Sequence, residues 1–369
     1  MQIFKPFLDL FNYVIVLLCV PLKYLPSTYP FLPKRLRAFV ESWDLEMINA
    51  YINSYGKKIY MDQRASFIHP ENYRPLVQSS PEYHLSEADI RGFYENGFIG
   101  PFTICSPEEM VTLREEIDLQ IRTPSDVYDH PCGRDRHLDC EAVQSLVTRP
   151  QLTERLAQIL GPDLAMWRSG IFRKESGAPE TAWHQANTYL MEEGYKPTLF
   201  PPNLDRLFQL TTWIALDDVD LENGCLQFVP GSHHQINKML VGGKGAEGFA
   251  NVQVKIDAEI DPKTVYSAEM KAGQCIIFTE RVIHGAQANL SNRRRWGMTF
   301  RTVQPSVKVY DDEMVHNVKY LKKRYDTGKW GILMLRGQDK FGVNPHYLKP
   351  ATNRNANQSE AAAVPVLWN

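Results

Sequence analysis

Two short segments of the chain combine residue types that can hold a metal ion. Residues 183–187 (WHQAN) contain His184, and residues 278–285 (FTERVIHG) contain His284. A neutral imidazole is a common metal ligand, but a lone histidine near a strand is more often a hydrogen-bonded structural residue. Arg295 lies eleven residues after His284, and its planar guanidinium can grip a carboxylate in two places. The pattern around these three residues therefore decides how they should be interpreted.

The elements that must position these residues begin with helices. Three helices are predicted where Ser or Thr precedes proline or acidic residues and amphipathic spacing follows. They cover residues 86–97, 106–121 and 148–161, and a further helix-like stretch lies near 33–55. Glu109 is placed to complete a capping box with Ser106, and Thr148 is the predicted start of the third helix. Gly161 marks its end.

After Pro162 the pattern changes to that of strands. Short apolar runs rich in β-branched or aromatic residues are separated by Gly, Pro, Asp and Asn, which is typical of β structure. These runs are 164–173, 208–216, 225–229, 274–279 and 296–303. Helices followed by strands predict a mainly β fold with flanking helices, an α+β arrangement whose core is a sandwich or barrel.

From Ser86 to Val303 the chain resembles the phytanoyl-CoA dioxygenase family of iron- and 2-oxoglutarate-dependent oxygenases. Its most specific match is Asp217-Asp218, followed by 222–226 (ENGCL) and 229–233 (VPGSH). The other matching stretches, in order, are 90–101, 174–177 with 183–185, and 273–285 with Arg295. Together they cover somewhat over half of the chain. The resemblance implies a double-stranded β-helix, the jelly-roll or cupin-like fold, in agreement with the predicted strands.

The resemblance also implies roles for individual residues. His184 and His284 correspond to the proximal and distal ligands of Fe(II), and Arg295 to the anchor of 2-oxoglutarate, with Lys174 as a second contact. Two histidines and one carboxylate leave a face of the metal open. That face takes 2-oxoglutarate and O2 as co-substrates, and the reaction removes hydrogen from an aliphatic carbon.

One position departs from the family pattern, which is His-x-Asp. The chain has His184-Gln185-Ala186, so a methyl group stands where the carboxylate ligand belongs. A small residue at this position resembles the pattern of 2-oxoglutarate-dependent aliphatic halogenases. Removing the carboxylate vacates a metal position and one negative charge, and chloride can fill both. The first interpretation is therefore a halogenase.

Two other interpretations stay open. In the second, the protein is an oxygenase with a two-histidine iron site that catalyses hydroxylation, desaturation or ring formation, and water or a nearby side chain takes the vacant position. Asn187 would point to the opposite face of a strand, and Glu192 or Glu193 could approach only if the chain loops back. In the third, the protein has lost iron chemistry and is an inactive binding protein, or Ala186 was introduced to inactivate it. The retained His284 and Arg295 argue against the third.

Composition limits the partners. The formal net charge is −2 over 369 residues, which argues against a nucleic-acid binder because such proteins carry a basic stripe. The expected partner is a small molecule of specialised, natural-product metabolism, either free or tethered to a carrier protein. Substrate selectivity is expected in the loops 189–202 and 241–248 and in part of the N-terminal extension. His233 and His234 follow a turn that is structural in the resembled family, so we do not expect them to bind metal.

Cysteine usage predicts a compartment. Six cysteines are spread over the chain without a C-x-x-C pair, which is typical of free thiols in a reducing environment, here taken to be the cytoplasm.

The ends of the chain are predicted to be extensions of the central domain. We expect an N-terminal extension over 1–85, the oxygenase domain over 86–305 and a C-terminal extension with a low-complexity tail over 306–369. Residues 10–22 are apolar but shorter than the roughly 20 residues of a spanning helix. Packing on the protein or a partner chain is favoured for them over peripheral membrane contact.

Overall fold

The fold is described from a computed structural model. The residues that it describes are 13–33, 36–37, 40, 45–53, 59–61, 68–185, 198–203, 205–235, 237, 239–241, 254–256, 258–310, 318–320, 323–325 and 328–347. Residues 186–193, which include Ala186, Asn187, Glu192 and Glu193, therefore lie outside the described residues. So do residues 242–248 of the predicted loop 241–248 and residues 189–197 of the predicted loop 189–202.

Helices flank a β core in the described part of the chain. They are α1 (Leu45–Asn53), α2 (Glu87–Asn96), α3 (Pro107–Ile121), α4 (Glu141–Val147) and α5 (Pro150–Leu160). Residues 13–19 are also helical. The 3-10 turns are Val20–Tyr24, Pro26–Phe31, Pro81–Tyr83, Ser232–His234 and Pro262–Thr264.

The ends of these helices confirm some capping predictions and correct others. Ser86 and Asp89 form a complete capping box at the start of α2. At α3 the box is incomplete, because Ser106 accepts from the backbone N–H of Glu109 while the Glu109 carboxylate binds Arg149 at 2.5 Å. The prediction that Glu109 completes a capping box was therefore wrong, because its carboxylate forms an ion pair with Arg149 instead.

The prediction that Thr148 starts the third helix was also wrong. Thr148 instead ends the short helix α4, where its hydroxyl donates to the carbonyl of Gln144 at 2.8 Å. The helix α5 begins at Pro150, with Arg149 as its N-cap. Thr148 thus lies at the junction of two helices, where the end of α4 comes directly before the start of α5.

Two antiparallel sheets form the core. The six-stranded sheet has the order β17-β3-β13-β6-β11-β2, and the four-stranded sheet has the order β10-β7-β12-β4. The strands of the first are β2 (Phe98–Thr103), β3 (Leu164–Lys174), β6 (Gln209–Ala215), β11 (Gln274–Phe278), β13 (Arg295–Val303) and β17 (Leu333–Arg336). Those of the second are β4 (Thr181–His184), β7 (Leu226–Phe228), β10 (Tyr266–Ala268) and β12 (His284–Ala286). This arrangement is the predicted jelly roll.

Short strands decorate the core. They are β1 (Ile59–Met61), β5 (Leu199–Phe200), β8 (Met239–Val241), β9 (Val254–Ile256), β14 (Lys308–Val309), β15 (Val318–Tyr320) and β16 (Lys323–Tyr325). They pair as β1-β8-β9, β14-β5 and β15-β16.

Alternation along the strands of the large sheet divides the core into two layers. Side chains on one face, such as Leu210 and Ile214, pack against the helices, together with Phe300 of β13. The opposite face points between the sheets, where Trp213 meets Phe228 of the small sheet. The space between the sheets is the place where groups of both can converge.

The chain beyond residue 305 also contributes to the large sheet. Strand β17 pairs with β3 at its edge, and Trp330 and Ile332 are buried in the cluster that contains Trp167. The jelly roll thus takes its outermost strand from the region that the sequence pattern assigned to the C-terminal extension. No helix in the described ranges has the length and apolar character needed to cross a membrane.

Candidate active site

His184 and His284 are brought face to face by strand pairing. His184 is the last residue of β4, His284 is the first of β12, and the two are direct partners in the antiparallel register. Their ring centroids are 4.2 Å apart with the planes tilted by 52°. Residues that are a hundred positions apart in sequence therefore form one imidazole pair.

The hydrogen bonds of the two rings are alike. Nδ1 of His184 lies 2.8 Å from the carbonyl oxygen of Ala182, and Nδ1 of His284 lies 2.8 Å from that of Val282. A carbonyl oxygen only accepts, so each Nδ1 carries the ring proton and each Nε2 carries a lone pair. This is the tautomer and the backbone support that metal-binding histidines use.

Electrostatics keep both rings neutral. Burial lowers the pKa of His184 from its ordinary value, and the nearby Arg301 guanidinium lowers it further. Burial lowers the pKa of His284 well below its ordinary value, with further lowering by His184 and Arg301. Two neutral imidazoles with lone pairs on Nε2 are a donor set that suits Fe(II).

A second pair of charged residues lies on the large sheet. Lys174 and Arg295 are direct partners across β3 and β13, and they are only 6% and 4% exposed. The Nε and Nη2 atoms of Arg295 donate to the carbonyl of Gly224 at 3.0 and 2.7 Å. Lys174 Nζ donates to the carbonyl of Gln287 and, at 3.5 Å, to that of Ala286.

These two cations repel each other. Burial and then the charge of Arg295 lower the pKa of Lys174 to about 7, and burial lowers that of Arg295 to about 10. Within the described ranges, neither forms an ion pair with a carboxylate; their acceptors are backbone carbonyls. Two buried cations without a carboxylate partner favour an anionic ligand, because an unpaired buried charge is costly.

The motif at 218–224 builds the support for Arg295. Asn223 and Asp220 exchange two backbone-to-side-chain bonds of 2.9 Å, and Asn223 Nδ2 donates to the carbonyl of Asp218. The turn ends at Gly224 with a φ of +79°, where a Cβ would lie 2.4 Å from the carbonyl oxygen of Gln287. Glycine is therefore required there, and its carbonyl faces Arg295.

Aromatic side chains contact both pairs of residues. The guanidinium of Arg295 lies 5.2 Å from the ring centroid of Trp213, and that ring lies against Gly297, where a Cβ would come within 1.9 Å of it. Phe278 packs edge-on against His284 at 5.1 Å. Trp296, the neighbour of Arg295 on β13, belongs to the cluster that packs with the helices.

Gln185 joins the loops around the histidines. It is 3% exposed, and its Nε2 donates to the carbonyls of Arg281 at 2.7 Å and Gln235 at 2.9 Å, while its Oε1 accepts from the N–H of Asn237. One side chain thus fixes the end of β4 to the segment that leads into His284. The sequence motif does not indicate this role, because the partners of Gln185 are backbone groups of residues distant in sequence.

Replacing Gln185 with alanine is expected to lower the affinity for Fe(II) by about 10- to 100-fold, because outer-shell partners orient metal ligands. Competition with a coloured chelator under argon measures this. Gln158 is the matched control: it is fully buried and also joins a loop to a helix, through Leu85, Tyr83 and Glu154. If Gln158→Ala weakens iron binding as much as Gln185→Ala, the effect is general destabilisation.

Three other histidines converge outside this site. His69, His233 and His234 have ring nitrogens within 4.8 Å of one another. Nε2 of His233 is 2.9 Å from the carbonyl of Tyr94, and its Nδ1 abuts Gly97, where a Cβ would come within 2.6 Å. Both nitrogens of His233 thus face protein atoms, which agrees with the structural role expected for it.

Comparison with known proteins adds to this geometry. The sequence profile described as "Phytanoyl-CoA dioxygenase (PhyH)" matches residues 93–297. Phytanoyl-CoA dioxygenase domain-containing protein 1 of Bos taurus is 24% identical over 287 residues, which are 75% of this chain and 88% of that protein. The matched range contains four residues of the candidate site: Lys174, His184, His284 and Arg295.

Two solved structures share the fold. "CytC3 with Fe(II) and alpha-ketoglutarate" is 26% identical with a TM-score of 0.58, and the match covers 72% of this chain and 93% of that one. The apo structure of the non-heme monooxygenase ThoJ is 21% identical with a TM-score of 0.51, and it covers 68% of this chain and 84% of its own. The jelly-roll expectation is confirmed by these matches.

Proposed function

Because the chain belongs to the phytanoyl-CoA dioxygenase (PhyH) family, and so to the Fe(II)- and 2-oxoglutarate-dependent oxygenases, we propose that it is an aliphatic halogenase. Its substrate is a small molecule with an unactivated target carbon. In this proposal His184 and His284 hold the iron, Arg295 and Lys174 hold 2-oxoglutarate, and Ala186 leaves room for chloride. O2 is the second co-substrate.

Each of these residues has a task that its contacts support. The Nδ1 bonds to Ala182 and Val282 hold the two rings so that Nε2 is the donor atom. Arg295 and Lys174 supply the positive charge that the far carboxylate of 2-oxoglutarate needs. When bound, iron and 2-oxoglutarate together activate oxygen for hydrogen abstraction.

The observation that carries the halide proposal is the charge around the histidine pair. The position of the family's carboxylate is Ala186, while Arg301 acts on both imidazoles with a positive charge. Arg301 lies on β13 opposite Thr211 of β6. Neutral ligands, a missing carboxylate and a nearby cation together favour a small anion at the metal.

Turnover with Fe(II), 2-oxoglutarate and a metabolite extract tests the proposal. With chloride or bromide present, mass spectrometry is expected to find products that carry the corresponding halogen isotope pattern. The variant Ala186→Asp is expected to lose halide incorporation at least tenfold, since the carboxylate restores both the ligand and the charge, and to gain oxygenated product. Exclusively oxygenated products from the unaltered protein at saturating chloride would falsify the halide step.

A substrate-free measurement separates the remaining interpretations. Fe(II) and 2-oxoglutarate under argon are expected to give a weak charge-transfer band that shifts with chloride in the unaltered protein but not in Ala186→Asp. A band that ignores chloride supports the hydroxylase or desaturase with a two-histidine site. Absence of any band supports an inactive binding protein.

A further inference from the structure

Among the described residues, the N-terminal residues 13–31, here called the apolar N-terminal segment, pack through one side of their helix on α1. Residues 13–19 are helical, and Val16 is 7% and Cys19 4% exposed where they pack with Ile48 and Tyr51 of α1. Tyr13 donates its hydroxyl to the carbonyl of Ile52 at 3.2 Å, which ties the same side to α1. The segment is thus docked on the protein through a narrow stripe.

Its other side exposes large apolar side chains. They are Val14 (44% exposed), Ile15 (37%), Leu17 (41%), Leu18 (71%), Tyr24 (68%), Leu25 (52%) and Phe31 (87%). Scattered exposed leucines are normal on a protein surface, but seven large apolar side chains within eighteen positions are a patch, and such patches mark binding surfaces. A helix that is apolar all round needs a cover on both sides.

Charge indicates what covers this patch. Residues 1–40 contain five basic residues and one acidic residue, namely Lys5, Lys23, Lys34, Arg35, Arg37 and Asp9. They carry a net charge of +4 in a chain of net charge −2, so the remaining residues carry −6. Positive charge on both flanks of the apolar N-terminal segment disfavours contact with a second copy of this region and favours an anionic partner.

We propose that the apolar N-terminal segment binds the surface of an anionic lipid bilayer. Leucines that enter the boundary of the acyl chains, flanking lysines and arginines, and aromatic side chains at the rim are the features of an interfacial anchor. Basic residues near an anionic leaflet add electrostatic attraction to the burial of the apolar side chains. Tyr24 and Phe31 lie in the 3-10 turns that follow the helix, where the aromatic rim is expected.

Binding to lipid vesicles by the full chain tests this proposal. Co-sedimentation is expected with vesicles of phosphatidylcholine and phosphatidylglycerol, to decrease with salt, and to be weak with phosphatidylcholine alone. Leu18→Glu and Phe31→Glu are each expected to weaken binding about tenfold or more, because a carboxylate must then enter the interface. Both side chains are exposed, so the variants are expected to fold.

Leu119→Glu is the matched control. Leu119 is 70% exposed on α3, against 71% for Leu18, so both variants place a carboxylate on an exposed helix. The proposal is overturned if Leu119→Glu weakens vesicle binding as much as Leu18→Glu, or if the unaltered chain binds no vesicles. It is also overturned if light scattering shows a dimer that Leu18→Glu dissociates, because the patch then joins two copies.

Discussion

Replacing either His184 or His284 with alanine is expected to lower the affinity for Fe(II) by more than about 100-fold and to abolish oxidative turnover. Loss of an outer-shell partner alone costs about 10- to 100-fold, and these changes remove a donor atom itself. The pair sits in one antiparallel register, so either change leaves one imidazole. Chelator competition under argon measures the affinity, and succinate formation measures turnover.

His137→Ala is the control for this prediction. His137 is fully buried, and its Nδ1 lies 2.9 Å from the hydroxyl of Ser169. The His137→Ala variant is expected to have a lower free energy of unfolding, because it loses a buried side chain, but to keep its affinity for iron. If the His184 and His284 variants bind iron like the His137 variant, the metal lies elsewhere.

The affinity for 2-oxoglutarate is expected to fall as pH rises above about 7, by up to tenfold per unit. The pKa of Lys174 is lowered to about 7 by burial and by Arg295, so above that pH the amine loses the charge that a carboxylate requires. Titration of the iron-loaded protein between pH 6.5 and 8.5, roughly a unit around this pKa, measures the change.

Two variants isolate the amine. Lys174→Met is expected to bind 2-oxoglutarate weakly at all pH values and to lose the pH dependence. Arg295→Ala is expected to weaken binding by roughly 10- to 150-fold, as loss of about 1.5–3 kcal/mol from charged hydrogen bonds implies. A pH dependence that survives in Lys174→Met would assign the proton to another group.

Stability should respond to pH in the opposite direction. A lysine whose pKa is lowered on folding binds its proton more tightly in the unfolded chain, so this residue makes folding less favourable at pH 7 than at pH 9. The ligand-free protein should therefore gain stability from Lys174 as pH rises, while the complex loses affinity. Opposite pH dependences of stability and of 2-oxoglutarate affinity indicate a titrating lysine, because general destabilisation at high pH would lower both.

The fold was largely predictable because its strands carry strong local patterns. The run 274–279 became β11 (Gln274–Phe278), and 296–303 became β13 (Arg295–Val303). Buried strands that have turn residues at both ends can be predicted from the residue types alone. Helix starts were harder to predict. In the folded protein Thr148 bonds to the carbonyl of Gln144, and Glu109 forms an ion pair with Arg149.

The sequence predicts only those residues of the candidate site whose side-chain type is required for binding iron or 2-oxoglutarate. His184, His284, Lys174 and Arg295 stand out as potential ligands, and the structure brings them together in pairs by strand register. Gln185 could not be found this way, because its partners are backbone groups of loops distant in sequence. Arg301 was also missed, since its influence on the histidines depends on the face of β13 that points inward.

Among the described strands, β4 is the last of the four-stranded sheet and has one hydrogen-bonded neighbour, β12. An edge strand offers unpaired backbone groups to other chains. A metal ion shared by His184 and His284 would therefore also fasten this edge to β12. Loading with metal would then add a cross-link to the backbone pairing that already holds β4 beside β12.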